Sequence, residues 1–425
     1  MTEKLDTTST DGHGASLDEH SASTDEHSAS AGPAPGADMR FDHWSSKMAY
    51  SPYDVWARLR NDCPVARTDK HGGFFVLSRY ADVFAAALDT ETFSSDGDGL
   101  GVAIPPQDLR PLYPIDLDPP YHTRYRQMLN PFFNMRTVAT MEDSIRALAR
   151  ELIAAFPASG VFDVAAAFTL PLPRRVGFRM LSFPEERTAE VSELVEAVMS
   201  NVAERQGAAA PRLFAVLSEI LAERRTQPRR DDLLDTVVFG EVDGVPVDEK
   251  QSFAMLILLL MGGLSTTSAA LGVMLEWLAD HPEDVGRLRE HPELHNLAVD
   301  EFVRYSSPVA HIGRTVMADT EVEGCPLPKG SRVLLGFGSA NRDDRVFQRP
   351  DEVLIGRQPN KHVGFGIGPH RCIGSHVAKL QIKVALEELL AAMPPFRVHD
   401  HGQTHWVGSE SRMIDRLMLA VEPVR

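Results

Sequence analysis

The chain has 425 residues, 43% hydrophobic and 24% charged, which suffices for a large core beneath a solvated surface. A net charge of −17 argues against a nucleic-acid partner, and three scattered cysteines (Cys63, Cys325, Cys372) exclude a disulfide framework or a thiol zinc site. No basic-then-apolar stretch reads as a signal peptide, and the longest apolar run, Phe253 to Leu264, is too short for a bilayer, so a cytoplasmic protein with no membrane partner is expected.

Residues 1–39 read as a disordered acidic leader. Eight acids against Lys4 alone leave residues 1–38 at −7, so the remainder carries −10. Asp-Glu-His-Ser-Ala-Ser occurs at 18–23 and again at 25–30, a composition that cannot bury enough apolar surface to offset its ordering entropy. His13, His20 and His27 are spaced by seven and are read as part of a solvated tail rather than a metal site.

Order is expected to begin near Phe41 and Trp44. Ser51-Pro52-Tyr53 starts a helix running to about Leu59, and Cys63-Pro64-Val65 ends it. The β-rich stretch 73–78 reads as a strand, 79–88 as a short helix, and 94–114 as a long loop without period. Pro119-Pro120 sets the first turn of a helix with Asp118 as its N-cap, which puts His122 and Arg126 on one face. Further helices are expected over 144–156, 184–201 and 211–225, punctuated at 162–164 and by a break from Pro171 to Pro173. Asp243-Gly244 marks a turn.

Glu249 to about Ala279 reads as one helix, roughly 45 Å long at 1.5 Å per residue. Leu256 to Leu260 are apolar all round, so this helix belongs in the core. Gly262 and Gly263 each cost about 1 kcal/mol relative to Ala there, so either a packing notch or a guest requires them. Thr266 can bond back to a carbonyl or to that guest. Glu301 and Arg304 form an i,i+3 pair, weak by itself, and 309–314 reads as a strand.

The stretch His362 to Gly374 ends a loop and opens a helix, because Ile373, Val377, Leu380 and Val384 recur at helical spacing. Gly366 and Gly368 can take the positive-φ turns that fold the loop back. Cys372 is placed at the helix N-terminus, where free N–H groups favour a thiolate, and Gly374 leaves room for a flat ligand.

The string Phe-Gly-Ile-Gly-Pro-His-Arg-Cys-Ile-Gly resembles the haem-binding loop of the cytochrome P450 family. The resemblance spans about residue 40 to the C-terminus and implies a mainly α, single-domain fold with a small β region over 40–425, not the two or three domains that length suggests. It implies haem b, with Cys372 as the iron ligand, Phe365 beside the thiolate, Gly374 under the ring, and His122, Arg126, Arg314 and His370 on the propionates. Gly262, Gly263, Ser265 and Thr266 resemble the oxygen-pocket motif, with serine where the family has an acid. Glu301, Arg304 and Arg357 match a buried ion triad. By the same resemblance Leu258, Met261, Leu264, Val309, His311 and Ile312 line a pocket for a small apolar substrate. The loop 94–114 covers that pocket, and the helices near 191–202 and 213–221 roof it.

The implied activity is hydroxylation or O-dealkylation with dioxygen by a monomeric enzyme. No flavin or nicotinamide fingerprint follows a strand, so electrons are expected from a ferredoxin and its reductase. Arg124, Arg136, Lys361, Arg371 and Lys379 are the candidate docking patch. Two other readings stay open, a peroxide-driven peroxygenase and a non-catalytic haem sensor or carrier.

Overall fold

The computed structural model describes residues 41–104, 110–198, 203–408 and 411–422. The expected leader lies outside these residues, as do 105–109 of the loop and the end of the helix expected over 184–201. Tyr53–Asp62 (α1) buries Trp56, Leu59 and Arg60, with Pro52 at its cap position. Val65–Thr68 (β1) and Phe74–Leu77 (β2) form an antiparallel hairpin in the register Val65↔Leu77 and Thr68↔Phe74. Tyr80–Leu88 (α2) and the short strand Phe93–Ser94 (β3) follow.

Tyr121–Phe133 (α3) begins without the expected cap. Pro120 holds the cap position, and Asp118 instead accepts from Ser95 N–H (2.9 Å) and Ser94 Oγ (2.5 Å). A neighbouring loop thus competes successfully for the carboxylate that local sequence assigns to the helix. Glu142–Ala154 (α4), the strand Gly160–Asp163 (β4) and Pro171–Met180 (α5) come next. The prolines expected to break the chain open α5, where a missing N–H costs nothing. Thr188–Val198 (α6) packs on Ala203–Arg225 (α7), and Pro211 lies inside α7 rather than at its start. In the hairpin 241–246, Asp243 (φ 55°) and Gly244 (φ 75°) take the left-handed conformations a two-residue turn demands.

The central element is Glu249–Leu264 (α8) followed by Thr266–Asp280 (α9), so the expected single helix is interrupted at Ser265 (φ −113°, ψ −39°). Three hydroxyls explain the interruption. Ser265 Oγ, Thr266 Oγ1 and Ser268 Oγ donate to the carbonyls of Met261 (3.4 Å), Gly262 (2.9 Å) and Leu264 (3.2 Å), a pattern that bends helices. Asp248 and Gln251 form a capping box at the start of α8. Residues 249–280 are long and apolar enough to cross a membrane, but 61% of the most apolar window is buried inside the protein, as in a core helix.

His295–Ser306 (α10) packs on α9, and Ser375–Ala392 (α11) packs on α4, α9 and α10. Ile312–Val316 (β5) and Arg332–Leu335 (β6) complete a five-stranded sheet in the order β1-β2-β6-β5-β3. β6 runs parallel to β2, so most of the helices are inserted between two neighbouring strands. Phe396–Val398 (β7), His405–Val407 (β8), Met413–Arg416 (β9) and Met418–Val421 (β10) lie near the C-terminus, with β7-β10-β4 as one small sheet and β8-β9 as another. The loop after β3 is held to the sheet where Gly313 N–H donates to Val102 O at 2.7 Å. A Cβ on Gly313 would lie 2.5 Å from that oxygen.

Candidate active site

The loop before α11 folds back on Gly366 (φ 68°) and Gly368 (φ 66°), and closes through Cys372 N–H to Phe365 O at 2.7 Å. A side chain at Gly368 would press on Ala87 O at 3.0 Å, so the loop can sit tightly against α2 only with glycine there. Cys372 lies three residues before the first helical residue, Ser375, rather than on the helix itself. Its thiol is nonetheless addressed by three groups that favour the thiolate, namely Gly374 N–H and the guanidiniums of Arg126 and Arg371.

Cys372 combines two properties that a close-packed core does not allow together. Surrounding protein desolvates the thiol and pushes its pKa up, yet the residue keeps a solvent-accessible surface. That surface therefore opens on an interior space.

Four cationic or donor side chains from three distant segments converge beside it. His122 (1% exposed) comes from α3, Arg314 (3%) from β5, His370 from the cysteine loop, and Arg126 from one turn beyond His122. The rings of His122 and His370 lie 4.0 Å apart, and His370 Nε2 bonds Ser95 Oγ at 3.0 Å. Burial is the main force that pulls His122 down to about 4, His370 to about 2 and Arg314 to about 10, and neighbouring cations add to the shift on both histidines. Arg314 Nε and His122 Nδ1 are buried without a partner, while Arg314 Nη1 reaches only the carbonyl of Gly313 at 2.7 Å. Among the described residues no carboxylate forms an ion pair with any of the four. Arg314 is a buried cation that Asp116 and Asp118 stabilise only at a distance, and the two histidines are held neutral with ring nitrogens available as donors, so this cluster suits an anionic ligand.

Gly262 is exposed although it sits in the core helix, and a Cβ on Gly262 or Gly263 would meet nothing within 4 Å. The notch is therefore space rather than helix packing. Leu258, Met261, Val309 and Ile312 keep partial exposure, whereas Leu264 and His311 are buried elsewhere. Leu264 lies against Gly177 of α5, within 3.4 Å of where a Cβ there would be. His311 turns its ring edge-on to His43 at 5.1 Å. The structure does not bring these two into the partly open apolar set.

On the far side of the cysteine loop, Glu301 accepts from Arg304 Nε and Nη2 (both 2.8 Å) and from Arg357 Nε (3.0 and 2.9 Å). A further residue, Asn341, lies beside this triad. It links this triad to the loop, because Arg304 bonds its carbonyl at 2.8 Å while its Oδ1 accepts Val363 N–H at 2.7 Å. Ser95 and Asp118 were not recognised as site residues, and no local signal marks them, since Ser95 meets His370 across 275 positions.

The family model described as Cytochrome P450 matches residues 174–405. The chain is also 34% identical over 329 residues to "Probable cytochrome P450 127A1" of Sinorhizobium fredii, across 77% of this chain and 78% of that protein. The chain belongs to the cytochrome P450 family. It is 30% identical to linalool 8-monooxygenase of Pseudomonas putida, across 82% of this P450 and 90% of the relative. Among solved structures, the bacillaene polyketide synthase P450 PksS of Bacillus subtilis superposes with a TM-score of 0.82 at 27% identity, covering 90% of this chain and 100% of that one.

This P450 is a haem-thiolate monooxygenase that uses haem b, dioxygen and electrons from a redox partner. The residues present fit that cofactor. A flat dianionic ring with a metal centre needs a soft axial ligand, interior room and donors for two carboxylates. The accessible Cys372, the glycine notch and the donor cluster of His122, Arg126, Arg314 and His370, with orphaned nitrogens on His122 and Arg314, supply those chemistries.

Proposed function

We propose that the enzyme hydroxylates a small apolar compound in the space between the glycine notch and Cys372, drawing electrons from a ferredoxin. The observation that supports this reading best is the joint presence of an accessible thiol and, beside it, buried His122 and Arg314 with unpartnered nitrogens and no ion pair among the described residues. Bound haem, with Cys372 as its thiolate ligand, supplies the activation of dioxygen. The chain's own groups do the rest. Gly374 N–H, Arg126 and Arg371 oppose the desolvation that pushes the Cys372 thiol up. His122, Arg126, Arg314 and His370 orient the ring through its carboxylates, and Leu258, Met261, Val309 and Ile312 exclude water beside the substrate. The relative named for 8-monooxygenation of linalool agrees with a small apolar substrate. NADH consumption in a ferredoxin and reductase system that rises with a spin-shifting substrate tests the assignment; turnover on peroxide alone would replace it with the peroxygenase reading that Ser265 favours.

Ser265 and Thr266 govern proton supply in this reading. Both hydroxyls donate into their own helix, and the bond from Ser265 is long at 3.4 Å, so Ser265 is free to turn outward at small cost. Serine passes a proton along but holds no negative charge at neutral pH. Ser265→Asp is therefore expected to raise the fraction of NADH electrons recovered in product, measured as product per NADH consumed. An unchanged ratio would mean that proton delivery bypasses this position.

The candidate docking patch is narrower than sequence suggested. Arg124 pairs with Asp243, and Lys379 with Asp300, leaving Arg136, Lys361 and Arg371 as the members with no ion pair among the described residues. Arg371→Glu should slow reduction by an acidic ferredoxin about tenfold at low salt and flatten its salt dependence, whereas Arg124→Glu should do much less. Equal rates for wild type and Arg371→Glu in stopped-flow reduction would remove this surface from the docking face.

A further inference from the structure

At the start of the described residues, three side chains meet that the monooxygenase reaction does not use. One ligand-type atom from each of Asp42, His43 and His71 lies within 4.8 Å of the others. Asp42 Oδ1 accepts from Trp44 N–H at 2.9 Å and contacts His71 Nε2 at 2.8 Å. The rings of His43 and His71 stand edge to face with centroids 5.2 Å apart. His71 holds a left-handed conformation (φ 52°) in the turn between β1 and β2, and its carbonyl is bonded by the Arg332 guanidinium.

His43 carries the decisive detail. It is fully buried, and its Nε2 lies 2.5 Å from the carbonyl of Ile104. A carbonyl only accepts, so Nε2 carries the hydrogen and Nδ1 holds the lone pair. That Nδ1 is buried with no hydrogen-bond partner. An imidazole whose outer nitrogen donates to a backbone carbonyl while the other nitrogen presents a lone pair is the usual supporting arrangement of a metal-ligating histidine.

We propose that Asp42, His43 and His71 bind a divalent transition metal of the zinc type. Two imidazoles and one carboxylate suit zinc, and a water completes the tetrahedron. Ligand atoms in such a site stand about 3.3 Å apart. The two partly exposed side chains, Asp42 and His71, close the remaining gap onto the fixed His43. His71 then coordinates through Nε2 and shifts its hydrogen to Nδ1, and the metal replaces the hydrogen bond to Asp42.

The site would join residues 42 and 43 to the β1–β2 turn. Through the Ile104 carbonyl it would also fasten the loop that Gly313 anchors on β5. Zinc is therefore expected to raise the melting temperature of the haem-loaded enzyme without altering its carbon-monoxide spectrum.

The test is calorimetric titration of the full-length, haem-loaded, EDTA-treated enzyme with zinc chloride. Because His43 is buried and its loss threatens folding, the deciding variants are His71→Ala and Asp42→Asn, each verified as folded by its carbon-monoxide spectrum. Both should lose one equivalent of zinc, or weaken it at least tenfold. A triple replacement of His13, His20 and His27 by alanine should keep that equivalent. The proposal is overturned if wild type binds no zinc, if His71→Ala binds as wild type does, or if only the triple variant loses the equivalent.

Discussion

Cys372→Ala is expected to yield a folded protein that has lost both monooxygenase turnover and the thiolate signature of its reduced carbon-monoxide complex. The residue keeps accessible surface, so its truncation removes little packing, and unfolding of the haem-free variant should fall within about 1 kcal/mol of wild type. The cationic cluster remains, and with it the donors for the ring's carboxylates, so haem still associates, though more weakly. What disappears, on the proposed reading, is the thiolate that would ligate the iron. Arg126, Arg371 and Gly374 N–H, which oppose the desolvation of Cys372, then face no charge to stabilise. Haem content and circular dichroism measured alongside the carbon-monoxide spectrum separate the chemical loss from a folding defect. A variant that retained the thiolate spectrum would show that another residue ligates the iron, since neither buried Cys63 nor buried Cys325 belongs to this loop.

That expectation is legible in the sequence because the information is local. Gly366, Gly368, Cys372 and Gly374 sit within nine residues, and each acts through its own backbone conformation or position. The pair Glu301 and Arg304 was legible for the same reason, being one helical turn apart. Other features depend on choices among distant partners. Asp118 had a sound local claim to cap α3, yet Ser94 and Ser95 took its oxygens, because the loop they begin must bury its own donors. Whether Leu264 and His311 face a pocket depends on what stands behind them, Gly177 and His43 respectively, and no periodicity encodes that. The parallel pairing of β2 with β6 joins positions 75–77 to 333–335, a contact that only the completed helical insertion brings about. The break at Ser265 lies between these extremes. Three nearby hydroxyls announce it, but helical periodicity runs through them unbroken.

The second large effect concerns the ion triad, where charge arithmetic ranks the variants. Glu301 and Arg304 are fully buried, and Arg357 is 9% exposed. Glu301 accepts from both arginines and also from Leu354 N–H (2.8 Å) and Asn360 Nδ2 (3.2 Å). The arginines spend their other donors on backbone carbonyls, Arg304 on residues 341, 350 and 352 and Arg357 on residue 348. Burial works against the charge on Arg304, and the Glu301 carboxylate is what opposes it. Glu301→Gln keeps the shape but leaves two buried guanidiniums repelling each other, at a cost of about 3–5 kcal/mol. Against a total stability of about 5–15 kcal/mol, that is enough to lower the melting temperature sharply and cut haem-loaded yield. Arg357→Met instead leaves a neutral Glu301–Arg304 pair and should cost less, while the double variant should cost less than the sum of the two. The readout that links this to function is the cysteine loop, since Asn341 couples Arg304 to Val363 and Asn360 ties Glu301 to the approach to Cys372. Glu301→Gln is therefore expected to loosen haem as well as the fold, seen as faster haem transfer to apomyoglobin at temperatures well below melting. Wild-type melting and haem retention in Glu301→Gln would mean that the hydrogen bonds, and not the buried charge, brace the loop.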